Sequence, residues 1–358
     1  MNFIKGIINA LTRPELFFGL AVVGLALVIW QREKVASNKV GYGVLGFLAL
    51  FFALGTFDPN FRLIVTKPDN VPIVGLIFLL LFFFWYSIRE AVLNDRRIDA
   101  GEGPIEKAES DRVWVWPDLV YTELISLIIC GVVLIVWSIL LKAPLEQPAN
   151  PANTPNPSKA PWYFLGLQEM LVYFDPWLAG VVLPGLIIAG LICIPYIDTN
   201  PKGNGYYTFK ERKAEITIFL FGFIVLWCSL IVLGTFLRGP NWNFFGPFEF
   251  WDLHKLAALT NVNLADYIWV RALGMGLPAQ WYIREIFGIV LVVFYVFALP
   301  VILAKAWFKT YFEKLGASRY YVGSFLFLMM MSLPIKMLAR WLFNLKYIVA
   351  IPEFFFNI

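Results

Sequence analysis

Histidine and cysteine are scarce in this chain. Its 358 residues include one histidine, His254, and three cysteines, Cys130, Cys193 and Cys228. Each cysteine lies in an apolar run, and the sequence has no Cys-x-x-Cys or Cys-x-x-Cys-His pattern. A haem bundle within a membrane needs paired axial ligands, usually histidines, so we do not expect this chain to hold haem by itself. We predict no metal site and interpret the cysteines as plain packing residues.

Charged residues are also few. Only 15% of the residues are charged, whereas 59% are hydrophobic and 18% are aromatic, and the mean hydropathy is +0.70. This composition excludes a soluble domain and indicates a membrane protein. The net charge of +4 is explained by basic loop residues, so it gives no reason to expect nucleic acid as a partner.

Eight apolar runs are long enough to cross a membrane, because about 20 helical residues span roughly 30 Å of hydrocarbon. They lie near residues 15–31, 40–57, 71–93, 118–141, 177–197, 214–237, 283–307 and 320–345. The second run is rich in glycine and the last is interrupted by Pro334, which leaves open that either is partly interfacial. We therefore predict an all-α, polytopic integral membrane protein with about eight transmembrane helices, give or take one.

The distribution of Lys and Arg predicts the sidedness, since basic residues are retained on the cytoplasmic side. Sixteen of the 29 lie in four compact loops, within residues 32–39, 89–112, 202–213 and 305–319. This pattern places the N-terminus and the 142–176 segment on the outer side of a bacterial inner membrane. The N-terminus lacks the features of a cleaved signal peptide.

Two consecutive polar segments interrupt the apolar runs on the predicted outer side. The spacer from Ala143 to Ala160 carries five prolines, which forbid a helix and favour extended, semi-rigid chain. Lys159 to Asp175 then reads KAPWYFLGLQEMLVYFD, a strip rich in aromatic residues. A flat ring can stack on such side chains. We predict that this strip carries the chemistry.

Four ordered signals together resemble the C-terminal half of cytochrome b, also called subunit IV in cytochrome bf complexes. Residues 116–121 (WPDLVY) resemble the start of its first helix, 143–151 (APLEQPANP) its proline-rich spacer, and 161–164 (PWYF) its Pro-Glu-Trp-Tyr-Phe motif. The spans near 180–198 and 214–237 resemble its next two helices. The resemblance implies that Pro161, Trp162, Tyr163 and Phe164 bind quinol at an outer oxidation site.

One departure concerns the glutamate that the family places directly before Trp-Tyr and assigns as an acceptor of a quinol proton. Pro161 stands there in this chain. Glu169 is our preferred substitute, with Asp175 and His254 as competing candidates. An interfacial acid that simply points to water is the alternative interpretation of Glu169, as a surface histidine is of His254. Because it lacks this glutamate, the chain also resembles family variants that use menaquinone.

A second candidate region lies on the predicted inner side. Glu123 and Tyr121 stand where the resemblance implies the border of the quinone-reduction site and, in bf-like complexes, an additional covalent haem. Glu123 would take up a proton for quinone or ligate that haem. Acidic residues at helix N-termini are also favoured for purely electrostatic reasons, which is the alternative interpretation.

The resemblance thus predicts a subunit of a quinol:cytochrome c, or other acceptor, oxidoreductase that is inactive alone. Its implied partners are a haem-bearing N-terminal-type cytochrome b subunit, a Rieske-type iron–sulfur protein, cytochrome c and membrane lipid. A non-catalytic membrane anchor is the alternative, and a transporter is a third. We expect an N-terminal three-helix extension with its connector over 1–113, the subunit IV-like core over 114–240, and an interfacial segment with two more helices over 241–358.

Overall fold

The computed structural model describes residues 2–109, 112–140, 148–152, 154–200 and 205–358. The predictions for spacer residues 143–147 and for Lys202 of the third basic loop lie outside these ranges. The described residues of the spacer, 148–152 and 154–160, form no helix. This agrees with the effect expected of its prolines.

Seven helices are long and apolar enough to cross a membrane. They are α4 (Asn38–Gly55), α6 (Val71–Asp99), α8 (Val120–Leu140, which one wider turn extends back to Val115), α10 (Leu178–Ile197), α11 (Lys213–Leu237), α14 (Ile286–Lys305) and α16 (Ala317–Phe343). The pair α1 (Asn2–Leu11) and α2 (Pro14–Trp30) qualifies only as one span bent by 78°. The described residues therefore contain seven or eight spans, which confirms the predicted all-α membrane fold.

The shorter elements connect these spans. The helical ones are α3 (Arg32–Val35), α5 (Pro59–Val65), α7 (Ile105–Ala108), α9 (Leu165–Met170), α12 (Asp266–Ala272), α13 (Trp281–Arg284) and α15 (Lys309–Leu315). Single 3-10 turns cover Trp162–Phe164, Pro240–Trp242 and Pro352–Phe354. The strands β1 (Ala350–Ile351) and β2 (Phe356–Asn357) pair antiparallel, with Ala350 opposite Asn357.

Local sequence explains where several helices begin. The Asp58 side chain accepts hydrogen bonds from the backbone N–H groups of Asn60 and Phe61, at 2.9 and 3.1 Å, and so caps α5. Ser37 caps α4 in the same way. α15 ends at Gly316, whose φ of 75° lies in the left-handed region that glycine adopts without strain. In contrast, α16 continues through Pro334.

The chain divides into two compact units. The first comprises Met1–Ala26, Asn156–Gly203 and Thr217–Ile358, and the second comprises Leu27–Pro155 and Asn204–Ile216. Within the first unit, α9 packs on the second half of α11, and α10 packs on α16. Gly234 permits the first of these contacts, because a Cβ atom there would lie 3.2 Å from the carbonyl oxygen of Leu165.

In the second unit, α6 packs on α3 and α4. The Trp85 ring occupies the space over Gly41, where a Cβ atom would lie 2.1 Å from it. Its indole N–H donates to the Val35 carbonyl at 3.0 Å. The buried Asn94 holds the segment that follows α6. Its Oδ1 accepts from the N–H of Ile105 at 2.9 Å, and its Nδ2 donates to the Tyr207 carbonyl at 3.0 Å.

Candidate functional site

The aromatic strip forms an exposed surface at the end of the spacer. Pro161 is extended, and Trp162, Tyr163 and Phe164 then make one 3-10 turn that leads directly into α9. Their side chains are 38%, 50% and 50% exposed. The rings of Trp162 and Tyr163 meet edge to face with centroids 5.7 Å apart, and those of Tyr163 and Phe164 are 4.7 Å apart. The three rings together offer a contact surface for a flat ligand.

The Gln168 side chain holds the start of this strip in place. Its Oε1 accepts from the N–H of Ala160 at 2.9 Å, and its Nε2 donates to the Ser158 carbonyl at 2.9 Å. Lys159, between these two positions, donates from Nζ to the Thr235 carbonyl of α11 at 2.9 Å. The chain that enters the aromatic turn is therefore held at three successive residues.

Glu169 lies beneath the strip in a buried ion pair with Arg238. The Glu169 side chain is 0% exposed and that of Arg238 is 12% exposed. Arg238 donates from Nη2 to Oε1 at 2.6 Å and from Nε to Oε2 at 3.0 Å. The indole N–H of Trp242 donates to Oε2 at 3.1 Å. Both carboxylate oxygens are occupied, so Glu169 would have to break these contacts to accept a proton.

Arg238 reaches Glu169 because it directly follows the last residue of α11. It also donates from Nη1 to the Trp242 carbonyl at 3.1 Å, which holds the returning chain against the pair. Burial disfavours the charged guanidinium, but the charge and hydrogen bonds of Glu169 outweigh burial and hold the pKa of Arg238 above its ordinary value. The pair ties α9 to the end of α11.

Tyr173 is fully buried one turn beyond Glu169. Its ring meets that of Trp341 edge to face at 5.9 Å. Its hydroxyl forms no hydrogen bond of acceptable geometry with any of the described residues. Burial, and then the charge of Glu169, raise the pKa of Tyr173 well above its ordinary value. The phenol therefore stays neutral and serves as a packing residue.

Asp175 ends the strip in a different environment. Its Oδ1 accepts from the Tyr347 hydroxyl at 3.0 Å and from Nδ2 of Asn357 at 3.4 Å. Within the described ranges, no side chain or backbone group donates to its Oδ2. Burial, and then the hydrogen bond to Asp175, raise the pKa of Tyr347 to about 12. Asp175 is thus a half-buried carboxylate with one oxygen open to a further proton.

The structure brings only some of the predicted site residues together. Pro161 to Phe164, Glu169 and Asp175 all lie on one short stretch of the first unit. Tyr121 and Glu123 belong to the second unit, where both are exposed on α8. His254 is exposed in a loop, where its backbone N–H donates to Asp252 at 2.9 Å. Their predicted roles stay predictions.

Sequence reasoning missed the partners of the two acids. Arg238 resembled an ordinary basic residue at the end of a span, and Tyr347 an aromatic residue near the chain end. A charge directly after a strongly apolar helix was the only signal for Arg238, and it does not say which acid it meets. Both contacts join positions far apart in sequence, 69 residues for Glu169 and Arg238 and 172 for Asp175 and Tyr347.

The described residues contain no group of three or more His, Cys, Asp or Glu side chains arranged to hold a metal ion. The only histidine of the chain lies outside the spanning helices. These residues do not fit a haem that is held by paired histidines within the membrane. The exposed rings of the aromatic strip do fit a flat aromatic ligand.

Residues 148–246 match the family model described as Cytochrome b(C-terminal)/b6/petD. The match covers the end of the spacer, the aromatic strip, α10, α11 and the Arg238 turn. It confirms the resemblance for these residues, and it implies a membrane subunit of a cytochrome bc or b6f-type complex. The resemblance of residues 116–121 lies outside it and stays a prediction. No solved structure matches the chain significantly.

Proposed function

We propose, from the cytochrome b C-terminal character of residues 148–246, that this chain completes the outer quinol-oxidation site of a quinol:cytochrome c, or other acceptor, oxidoreductase. One observation carries the proposal. Within the matched segment, three aromatic side chains are exposed, although the backbone beneath them is held by Gln168 and by the buried Glu169–Arg238 pair. Rigid, exposed aromatic side chains suit stacking of a quinol ring.

The remaining parts of the site come from partners. We propose a haem-bearing N-terminal-type cytochrome b subunit, a Rieske-type iron–sulfur protein and cytochrome c, because the single histidine of this chain does not provide the paired ligands that a haem within the membrane needs. Helix α8 supports such an assembly, since none of the residues in its most apolar stretch is buried. Its surface is thus open to lipid and to a partner helix.

The redox chemistry of the complex would be supplied by its bound cofactors. This chain would supply the position of the ring, through Trp162 and Phe164, and a hydrogen bond from the Tyr163 hydroxyl to a quinol oxygen. It would also provide a low-dielectric wall. The protons leave towards the outer side, which contributes to a transmembrane gradient. The absence of the family's glutamate supports menaquinol as the substrate.

We assign the proton-acceptor role to Asp175 and a positioning role to Glu169. The preferred candidate from sequence was Glu169, but its oxygens are engaged by Arg238 and Trp242. The Asp175 carboxylate keeps one oxygen open and is linked to a second titratable group, the Tyr347 hydroxyl. A general base needs such access to the proton that it accepts. His254 remains the third candidate.

Replacement of Tyr163 by Ala tests the proposed quinol site. We expect about a tenfold loss of quinol:cytochrome c turnover, since aromatic and hydrogen-bonding contacts of this kind are worth roughly 1 to 1.5 kcal/mol. Tyr282→Ala is a matched control, because Tyr282 is exposed to a similar degree in the same unit. The measurement is made on the purified complex after a reduced-minus-oxidised haem spectrum and subunit identification have established assembly.

A non-catalytic membrane anchor is the second candidate, which Pro161 favours because it replaces the family's carboxylate. An anchor predicts unchanged turnover in Tyr163→Ala and no binding of a quinol analogue near Trp162. A complex that lacks haem-bearing partners would contradict both the catalytic and the anchor interpretations. It would favour a transporter instead.

A further inference from the structure

A pocket of about 470 Å³ lies at the C-terminal end of α16. Its charged lining residues are Arg340 and Lys346, and its uncharged polar lining includes Asn241 and Asn261. None of the described residues that line it is acidic. We refer to this site as the Arg340–Lys346 pocket. Two cations without an acid in a pocket of this size create a positive potential that attracts anions.

A third basic side chain, Lys336, lies close to these two, and all of the hydrogen bonds of the three run to backbone carbonyls. Lys336 donates to the Lys346 carbonyl at 2.7 Å, and Arg340 donates to those of Thr260 and Asn344 at 3.3 and 3.2 Å. Lys346 donates to the carbonyls of Leu171 and Val172 at 3.3 and 3.4 Å. Carbonyl oxygens satisfy donors but do not neutralise charge. Within the described ranges, none of the three side chains forms an ion pair with a carboxylate.

Arg340 has donors to spare. Both of its hydrogen bonds use Nη1, so Nε and Nη2 have no partner among the described residues. Arg340 is only 8% exposed, and it lines the pocket. A guanidinium fork of this kind matches two oxygens of a phosphate group. Burial, and then the charge of Arg340, lower the pKa of Lys346, an effect that a bound anion would oppose.

We propose that the Arg340–Lys346 pocket binds a phosphate group. The ligand is either the headgroup of an anionic phospholipid or a free phosphate. Its location supports a headgroup, because α16 is long enough to cross the hydrocarbon and ends at Phe343, next to the pocket, so we expect polar headgroups at this level. Leu259, Leu342 and Phe343 are 75%, 69% and 58% exposed, and so offer apolar surface to acyl chains. The proposal does not depend on the quinol site.

A helix C-terminus also attracts cations for purely structural reasons, and this is the interpretation to be tested against. It accounts for the contacts of Arg340 and Lys336 with the carbonyls of residues 344 and 346. It also accounts for Lys346, which donates to carbonyls at the C-terminal end of α9. It does not account for the open face of the Arg340 guanidinium, which lines the pocket.

Binding to the full chain in its native complex, in uncharged detergent, tests the proposal. The three probes are phosphatidylglycerol, phosphatidylcholine and inorganic phosphate. Lys346→Gln should weaken binding of the preferred probe about tenfold, as expected for the loss of one charge-assisted hydrogen bond. Lys314→Gln, at an exposed lysine of the same unit, should leave it unchanged. Arg340→Lys keeps the charge but not the fork, and should weaken it as well.

The outcomes separate the sources and the alternative. Retention of phosphatidylglycerol but not phosphatidylcholine, lost in Lys346→Gln, supports the headgroup. Binding of inorganic phosphate with the same sensitivity, and no lipid preference, supports a free anion. The proposal is overturned if no probe binds, or if Lys346→Gln and Arg340→Lys bind as well as Lys314→Gln does. Circular dichroism identifies variants that fail to fold, and Lys346→Gln decides the question if an Arg340 variant does so.

Discussion

Ion pairs in the two compact units differ in their exposure to water. In the first unit, Glu169 and Arg238 form a pair that is almost completely buried beneath the aromatic strip. In the second, Glu33 and Arg96 form a pair at 2.6 Å whose side chains are each more than half exposed, and Asp99 and Lys210 form a similarly exposed contact. Short distances occur in both units, so distance alone does not distinguish them.

The difference lies in what each pair does when a partner is lost. An exposed charge without its partner is solvated by water, so such pairs contribute roughly 0 to 1 kcal/mol. Water cannot solvate a buried charge whose partner has been removed, so removal of that partner costs about 3 to 5 kcal/mol. We infer that the buried pair holds the strip rigid, whereas the exposed pairs contribute little to the order of the second unit. Asp175, half-buried and paired with a hydroxyl, lies between these extremes.

Removal of Arg238 should have the largest effect. Arg238→Met leaves the Glu169 carboxylate buried without its guanidinium, and we expect the free energy of unfolding to fall by about 3 to 5 kcal/mol. Denaturant unfolding in detergent measures it. The double variant Glu169→Leu/Arg238→Met should recover most of the loss, since an apolar pair carries no buried charge. A loss below about 1 kcal/mol in the single variant would show that water reaches the pair, as it does in the second unit.

Neutralisation of Asp175 should have the next largest effect, and on catalysis rather than stability. If Asp175 accepts the quinol proton, Asp175→Asn should slow turnover on the order of 100-fold and shift the pH–rate profile. Glu169→Gln should keep the profile of the wild type, even where assembly is weakened. The opposite pair of results, a normal profile in Asp175→Asn and an altered one in Glu169→Gln, would return the acceptor role to Glu169. His254→Gln completes the series.

Burial of Tyr347, together with its hydrogen bond to Asp175, also predicts a pH effect. The folded-state pKa of Tyr347 is about 12 and its ordinary value is 10.0. A raised pKa stabilises the fold fully below pH 10, and this contribution is lost as the pH rises towards 12. Tyr347→Phe should therefore show a smaller fall in stability across this window. Lys346 is a second titratable group close to Tyr347. The difference between the stability curves of the variant and the wild type therefore reports on the phenol alone. Identical curves would exclude this linkage.

Removal of the exposed pair should have the smallest effect. Arg96→Gln is expected to change the free energy of unfolding by less than about 1 kcal/mol, because both side chains remain hydrated. The same denaturant experiment serves as for Arg238. An effect of several kcal/mol would mean that Arg96 and Glu33 are covered by a partner subunit in the native complex, and comparison of the isolated chain with the complex would then show where the cover comes from.

Much of the fold could be predicted from local patterns. The apolar runs predicted near 71–93, 177–197 and 214–237 match α6, α10 and α11 closely, since a run of apolar residues must form a helix to satisfy its backbone in lipid. The first run, near 15–31, also matches the 17-residue α2. The preceding helix α1 and the bend of 78° between the two were not predicted.

The candidate site divides in the same way. Sequence alone determined the spans, the lack of helix in the described part of the spacer, and the Pro-Trp-Tyr-Phe strip, because chain stiffness and hydrophobicity depend on neighbouring residues. Only the tertiary structure decided that Glu169 is neutralised by Arg238 while Asp175 keeps an open oxygen. The reason is physical: the reactivity of a carboxylate depends on burial and on the donors around it, and here these come from positions 69 and 172 residues away in the chain.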